Sequence, residues 1–201
     1  MENPSQDTAP NSDTPGLRLA KQAAVHLGLW LLLFSLFAAA DSWTVLTGWS
    51  IALVLSLLTG LVAGFITAGV IHEWFHLLGA KLCDGIYTIN AKPGPFVFDW
   101  NFQENSVRQF FTMSIAGSIG SMLGVILLWS ATVPDNPGRA ALVAGAMAGL
   151  AFAAIIEWPV LLRTRRSRDP LTELSKITPA ALKQSAFGSA VTALLCLAVL
   201  A

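Results

Sequence analysis

An apolar run of this chain ends in Val70-Ile71-His72-Glu73-Trp74-Phe75-His76, and this stretch decides how the chain folds. No charged residue occurs between Ser42 and Ile71, which predicts a long helix in an apolar environment. Residues i and i+4 share one face of a helix, so the imidazoles of His72 and His76 would lie together. Two such histidines can bind one zinc ion, and Glu73 can take a proton from a water molecule beside it.

Chance explains this motif poorly. The chain has only 3 histidines in 201 residues, so an accidental match is expected on the order of once in a thousand such chains. Ionisable side chains within an apolar segment are costly, and they usually face a cavity or a partner. The motif therefore indicates a functional site.

The composition is that of a membrane protein. Hydrophobic residues make up 54% of the chain, charged residues make up 12%, and the mean hydropathy is +0.62, unlike an ordinary soluble domain. The formal net charge is zero, which gives no electrostatic reason to expect nucleic acid as a partner. Cys83 and Cys196 are expected at opposite membrane faces, so we predict packing roles and no intramolecular disulfide.

Five apolar stretches are long enough, or nearly so, for a hydrocarbon core that needs about 20 residues. The sequence predicts an all-α integral membrane protein whose transmembrane helices cover residues 23–40, 50–80, 109–133, 140–162 and 182–201. Residues 1–17 are predicted to form a disordered cytoplasmic tail before a membrane domain over residues 18–201. The first span ends in Ala38-Ala39-Ala40 and could be a cleaved signal peptide, but its 18 apolar residues favour a retained anchor.

The basic residues indicate an orientation. They lie before the first span, between the second and third, and after the fourth, at Arg18, Lys21, Lys81, Lys92, Arg108, Arg163, Arg165, Arg166 and Arg168. The opposite loops carry only Arg139, near Asp41 and Asp135. The positive-inside rule then places the N-terminus in the cytoplasm and the C-terminus outside. We expect a multi-pass protein of a bacterial inner (plasma) membrane.

The loop between the second and third spans predicts a β-hairpin over residues 84–105. Lys92-Pro93-Gly94-Pro95 is a strong turn signal. After it, Phe96, Phe98, Trp100 and Phe102 would take one side of a strand, and Asp99, Asn101 and Gln103 the other. Phe96, Phe98 and Trp100 would share an aromatic face that binds substrate, and an exposed edge could pair with an extended peptide. A plain amphipathic loop is the competing interpretation.

A catalytic zinc site needs a third protein ligand besides the two histidines. The acidic candidates are Asp84, Asp99, Asp169, Glu173 and Glu157. Only Glu157 lies inside another predicted span. His76 lies five residues before Lys81 and Glu157 lies six before Arg163, so both side chains lie roughly 8–9 Å inside these cytoplasmic markers. Glu157 is therefore the predicted third ligand.

Small residues recur at every fourth position in two of the spans. The series are Gly60, Gly64 and Ala68 in the second span and Gly145, Gly149 and Ala153 in the fourth. Such stripes let helices approach closely, which would bring the histidines and Glu157 together. Ordinary packing of glycine-rich and alanine-rich spans explains the stripes alone equally well.

The motif and its surroundings resemble the site-2 protease family of intramembrane zinc metalloproteases. The resemblance is carried by Ile71-His72-Glu73-Trp74-Phe75-His76-Leu77-Leu78-Gly79-Ala80, because the family commonly continues its motif helix with small residues. The predicted hairpin looks like the family's membrane-associated β-region. Ser114-Ile115-Ala116-Gly117-Ser118 is similar to its Ala-Gly-Pro segment, although the Pro and the following Asn are absent. The resemblance covers roughly residues 60–160.

One departure from the family concerns the third ligand. The family usually takes it from an Asp in a Leu-Asp-Gly or Asn-Pro-Asp-Gly motif on a later helix, and no such motif occurs here. Asp84-Gly85 is too close to the first motif to serve, so Glu157-Trp158-Pro159 would have to substitute. Pro159 would disturb the helix beside the ligand. The chain is thus similar to a divergent membrane zincin.

The resemblance implies a zinc endopeptidase that cuts a membrane-anchored protein near the cytoplasmic face. Zn²⁺ would be bound by His72, His76 and Glu157, with Glu73 as the catalytic base. Two other classes stay open. The protein could be an inactive scaffold or metal-binding protein that keeps the fold, or a transporter or assembly factor in which these residues line a proton or metal pathway.

Overall fold

The computed structural model describes residues 13–201, and most of this part of the chain is helical. Within it, 5 helices are long and apolar enough to cross a membrane, as the sequence predicts. They are α1 (Pro15–Thr47), α2 (Ser50–Leu82), α3 (Val107–Ala131), α4 (Pro137–Ser167) and α6 (Pro179–Leu200). The remaining elements are strands β1 (Tyr87–Ile89) and β2 (Phe98–Trp100) and the short helix α5 (Pro170–Ser175).

Helix α1 is longer at both ends than the predicted span. It begins at Pro15, inside the predicted tail, because the Thr14 side chain caps it by accepting a hydrogen bond from Leu17 N at 3.3 Å. Residues 1–12 of that predicted tail lie outside the described residues. The helix ends where Gly48 adopts φ 65°, a left-handed conformation that glycine takes without steric cost.

Helices α2 and α4 cross with their backbones in close contact. A Cβ atom on Gly64 would collide with Leu142 O, and one on Gly145 would collide with Leu61 O. Larger side chains at either glycine would therefore separate the helices. The small-residue series of the two spans lie at this crossing, and both helices continue from it toward the motif.

The predicted hairpin is present between α2 and α3. Strands β1 and β2 are antiparallel, with Tyr87 opposite Trp100 and Ile89 opposite Phe98. Ile89 belongs to a buried cluster with Leu77 of α2, so the hairpin is packed directly on the helix that carries the motif.

The strands of the hairpin are shorter than the aromatic pattern of the sequence. Phe96 and Phe102 lie outside the three-residue strand β2, so the aromatic alternation does not follow one long strand. The strand ends because Asn101 Oδ1 accepts a hydrogen bond from Gln103 N at 3.0 Å, which turns the chain.

The long helices alternate in direction, so their ends gather into two layers. In the first layer, which we call the Asp41 end, Arg139 Nε binds Asp41 Oδ2 at 3.0 Å and joins α4 to α1. In the second layer, the hairpin end, Arg18 Nη1 donates to Ile89 O at 3.5 Å and joins α1 to β1. Arg139 is the exception among the 12 lysines and arginines, because the others lie in the hairpin layer. The fold thus preserves the charge asymmetry from which the orientation is predicted.

Reporter fusions test this orientation. A reporter fused near Asp135, at the Asp41 end, is expected to read as external, and one fused near Arg166, at the hairpin end, as cytoplasmic. The measurement is the activity of a reporter that works only outside the cytoplasm beside that of one that works only inside. The reverse pattern would place the hairpin end outside.

Candidate metal centre

The two motif histidines lie side by side on α2. His72 Nε2 and His76 Nε2 are 2.9 Å apart, and the two rings meet edge to face with centroids 4.3 Å apart. The helical i, i+4 spacing produces this pairing. Only 7% of the His72 side chain and 11% of the His76 side chain are exposed. Both nitrogens therefore point into one small, shielded volume.

Glu157 of α4 reaches both histidines. Its Oε1 lies 2.7 Å from His72 Nε2 and 3.1 Å from His76 Nε2. Helix α4 continues through Pro159, whose missing N–H leaves the carbonyl of Ile155 without its usual helical donor. The structure thus brings together the three residues that the sequence predicts to hold a metal ion.

Each histidine has a partner on α3 for its other ring nitrogen. His76 Nδ1 lies 2.9 Å from Met113 O, and His72 Nδ1 lies 2.9 Å from Ser121 Oγ. A carbonyl oxygen only accepts, so His76 Nδ1 carries a proton and its neutral ring presents a lone pair at Nε2. Partners of this kind fix the tautomer and the ring orientation of histidines that bind metals.

The donor set fits a metal ion. In a neutral His76, Nε2 and the facing Glu157 Oε1 are both acceptors, so a proton or a metal ion is needed between them. Glu157 Oε2 is buried and has no hydrogen-bond partner within residues 13–201. Ligands of a tetrahedral zinc lie roughly 3.3–3.5 Å apart, and the three contacts among these atoms are slightly shorter, at 2.7, 2.9 and 3.1 Å. A small outward movement of each side chain would admit the ion.

Glu73 is the second carboxylate of the site. Ligand atoms of His72, Glu73 and His76 lie within 4.8 Å of one another, so these residues could themselves hold a metal ion. Glu157 Oε1 contacts both histidine nitrogens directly, whereas Glu73 lines the adjacent cavity. Of the two carboxylates, Glu157 is therefore the one placed to share a metal ion with both histidines.

Helix α3 makes room for the motif. A Cβ atom on Gly117 would collide with the ring of His76. Sequence reasoning included Gly117 only through the family resemblance and missed Ser121 and Met113. Gly117 and Ser121 are four residues apart, the spacing that marks the α2–α4 crossing, so a signal for α3 was present. Met113 acts through its backbone carbonyl and leaves no side-chain signal.

A cavity of about 300 Å³ opens beside the two carboxylates. Glu73 and Glu157 form part of its polar wall, and Phe96, Phe98 and Trp100 of the hairpin line it as well. The structure thus places the three predicted substrate-binding residues across the cavity from the motif. An extended segment held by the hairpin would lie within the same cavity as Glu73.

The other acidic candidates have different surroundings. The Thr172 side chain donates to Asp169 Oδ2 at 2.7 Å and its backbone N–H donates to Oδ1, which lowers the pKa of that carboxyl group. Glu173 binds Arg163 at 3.0 Å and Lys176 at 2.8 Å. Asp84 lies in the turn after α2 with φ 51°, and Asp99 lines the cavity from β2. Among these five candidates, Glu157 is the one seen in contact with the histidines.

No family model, curated protein or solved structure matches this chain. The resemblance to the site-2 protease family therefore stays an expectation that rests on the sequence motifs. The case for a metal centre rests on the distances and the donor chemistry described above.

Gly117→Ala is expected to weaken zinc binding by about tenfold, because the added methyl group would displace the imidazole of His76. Gly69→Ala is the matched control. Gly69 lies on the motif helix α2, and a Cβ atom added there would meet nothing within 4 Å. Zinc affinity is measured by competition with a chelator of known affinity. Equal affinities for the two variants would contradict the proposed packing of His76.

Glu157→Gln is expected to weaken zinc binding by at least the 10–100-fold that is typical of even outer-shell changes. The substitution keeps the size of the side chain but removes the charge that balances the ion. Asp169→Asn is the control, because Asp169 bonds to Thr172. Zinc per chain after purification is the measurement. Full zinc in Glu157→Gln with loss in Asp169→Asn would move the third ligand to the segment after α4.

Proposed function

We propose that this chain is an intramembrane zinc metalloprotease that hydrolyses a peptide bond of a membrane-anchored protein near the cytoplasmic face. One observation carries the proposal: His72, His76 and Glu157 converge to within 3.1 Å beside Glu73, at a cavity bordered by a β-strand. A metal ligand set, a separate carboxylate and a strand edge together are what a metalloprotease needs.

The proposed ligands are His72, His76 and Glu157. When bound, Zn²⁺ lowers the pKa of a water molecule and polarises the carbonyl of the scissile bond. Ser121 and Met113 hold the two imidazoles from behind, so their Nε2 atoms stay directed at one point. Burial of the site among α2, α3 and α4 limits the access of bulk water.

Glu73 supplies the base. Its carboxylate accepts a proton from the water that adds to the carbonyl carbon, and it then delivers that proton to the nitrogen of the leaving amine as the C–N bond breaks. Glu73 lines the same cavity as the hairpin, which is where a substrate backbone would lie. Its place in the motif beside His72 keeps the base next to the proposed metal position.

The hairpin offers one strand edge to a substrate. Asn101 N donates to Ile86 O and Asn90 N donates to Val97 O, so the backbone groups of Phe98 and Trp100 point away from β1. The outer edge of β1 is partly occupied, because Ile89 O accepts from Arg18 of α1. An extended peptide would therefore add to β2, whose residues line the cavity.

The location near the cytoplasmic face follows from the charge asymmetry. The motif lies in the last third of α2, toward the hairpin end, and the lysines and arginines other than Arg139 lie in that layer. Basic residues favour the cytoplasmic side of a membrane. A transmembrane substrate would have to unwind locally to present its backbone there.

Glu73→Gln tests the function. We expect this variant to keep about one zinc per chain and to lose proteolysis by at least 100-fold, because it keeps the ligands and removes the base. Quantitative proteomics of membrane proteins in cells that carry the wild type or the variant would reveal substrates as intact proteins that accumulate. His72→Ala is the companion control and is expected to lose zinc as well.

The outcomes separate the proposed function from its alternatives. A scaffold would keep its cellular function in Glu73→Gln. A metal or proton pathway would show altered ion transport in liposomes with no accumulating protein. Either result would contradict the protease proposal.

A further inference from the structure

A buried polar cluster outside the metal centre joins α1 to the tip of the hairpin. Gln22 is fully buried, and its side-chain amide pairs with the peptide of Gly94: Gln22 Oε1 accepts from Gly94 N at 3.1 Å, and Gln22 Nε2 donates to Gly94 O. The side-chain amide of Gln22 thus binds the N–H and C=O groups of Gly94 as a neighbouring β-strand would. The turn between β1 and β2 is therefore held by a side chain of the first helix.

His26 extends this cluster to the motif helix. Trp74 Nε1 donates to His26 Nδ1 at 2.9 Å, and His26 Nε2 lies 2.9 Å from Gly94 O. Since the indole N–H can only donate, Nδ1 is the acceptor and the proton of a neutral ring is on Nε2, directed at the carbonyl. The hydrogen bonds from Trp74 to His26 and from His26 to Gly94 thus link the central part of the His72–His76 motif to the hairpin tip.

Packing alone does not account for this polar cluster. Gln22 and His26 are only 0% and 6% exposed, and polar side chains are costly to bury. Apolar residues could fill the same space without that cost, and α1 is already tied to α2 by Trp30 Nε1, which donates to Thr67 Oγ1 at 2.7 Å. What the polar cluster adds is a fixed position for the backbone of Gly94.

We propose that Gln22 and His26 are positioning residues that fix the hairpin over the cavity, so that the free edge of β2 binds an extended peptide in the cavity beside Glu73. The use of that edge by a substrate rests on the proposed function. The hold of Gln22 and His26 on Gly94, which we call the clamp, does not. Helix α1 would then contribute to substrate binding as well as anchoring the protein in the membrane.

The hairpin depends on its surroundings for its position. The hairpin strands have three residues each, so a two-stranded sheet of this size is not stable by itself and takes its position from what it packs against. Leu77 packs against Ile89 and Val97 where the strands meet the turn, and Gln22 with His26 holds the tip of the turn at Gly94. Release of the tip would let β2 move relative to Glu73 while the metal ligands, which are carried by α2 and α4, stay in place.

Hydrogen exchange tests the clamp directly. The amide of Gly94 donates to Gln22, so a peptide covering residues 90–97 of the full-length, zinc-loaded protein is expected to be protected in the wild type. Gln22→Leu should raise its exchange rate by about tenfold, the effect of losing roughly one hydrogen bond. His26→Phe, which keeps a ring but removes both of its bonds, should raise the rate in the same direction. Zinc content should stay unchanged in both variants.

Two control substitutions isolate the effect. Gly94→Ala adds a methyl group that meets nothing within 4 Å and keeps both backbone groups, so it should exchange like the wild type. Val25→Leu changes an exposed residue of the same helix and should also have no effect. Unchanged exchange of residues 90–97 in both Gln22→Leu and His26→Phe would overturn the clamp.

Kinetics with an internally quenched, extended octapeptide tests the consequence for substrate binding. Gln22→Leu is expected to raise KM by about tenfold while kcat stays within about twofold, because the edge moves and the base does not. A fall in kcat with unchanged KM would overturn the positioning role. Equal cleavage by the wild type and Glu73→Gln would instead show that the proposed function is wrong. The hydrogen-exchange experiment would still test the clamp independently.

Discussion

The arrangement depends on the need to hold three potential ligand atoms within 3.1 Å of one another inside an apolar helical bundle. His72, His76 and Glu157 come from two helices, and such a cluster is unfavourable unless a proton or a metal ion lies among these atoms. The two helices must also approach closely enough for one carboxylate to reach both imidazoles. Gly64 and Gly145 allow this approach, since a side chain at either would strike the backbone of the other helix.

The position of α3, the third helix of the site, is also limited by close packing. Helix α3 must lie near enough for Ser121 and Met113 to hold the imidazoles, yet it must leave space for the rings themselves. Gly117 meets both conditions, because the ring of His76 fills the place where its Cβ would be. The same backbone closeness thus serves packing and histidine orientation together. Substitutions at such glycines would change the metal centre without touching a ligand.

Much of the fold follows from hydropathy and turn signals, and the limits have clear physical causes. The five long helices are predictable because each contains an apolar run of nearly membrane length. The extension of α1 to Pro15 is not, because it depends on a cap at Thr14 rather than on apolar residues. The length of β2 is missed for a similar reason, since Asn101 ends the strand by a local hydrogen bond.

The candidate site divides in the same way. His72, Glu73 and His76 follow from spacing, and Glu157 follows from its depth relative to the basic residues at the helix ends. The partners of the histidines are less accessible to sequence reasoning, since Met113 contributes a backbone carbonyl and Ser121 resembles any small residue of a packed span. The clamp is missed altogether because Gln22 and His26 lie in the first helix and contact a peptide group 68 to 72 residues away. No periodicity within α1 reports such a contact.

The choice of glutamate at position 157 can be understood from the helix that carries it. An aspartate followed by glycine would let the backbone come close to a metal ion, whereas here Trp158 and Pro159 follow the carboxylate within α4. A glutamate has one more methylene group and reaches both imidazoles from that backbone position. One carboxylate with two neutral imidazoles would also leave a divalent ion with a net charge of about +1, the balance found in His₂Glu zinc sites that activate water. The departure from the aspartate motif is therefore compatible with the same chemistry, because a longer side chain replaces a closer backbone.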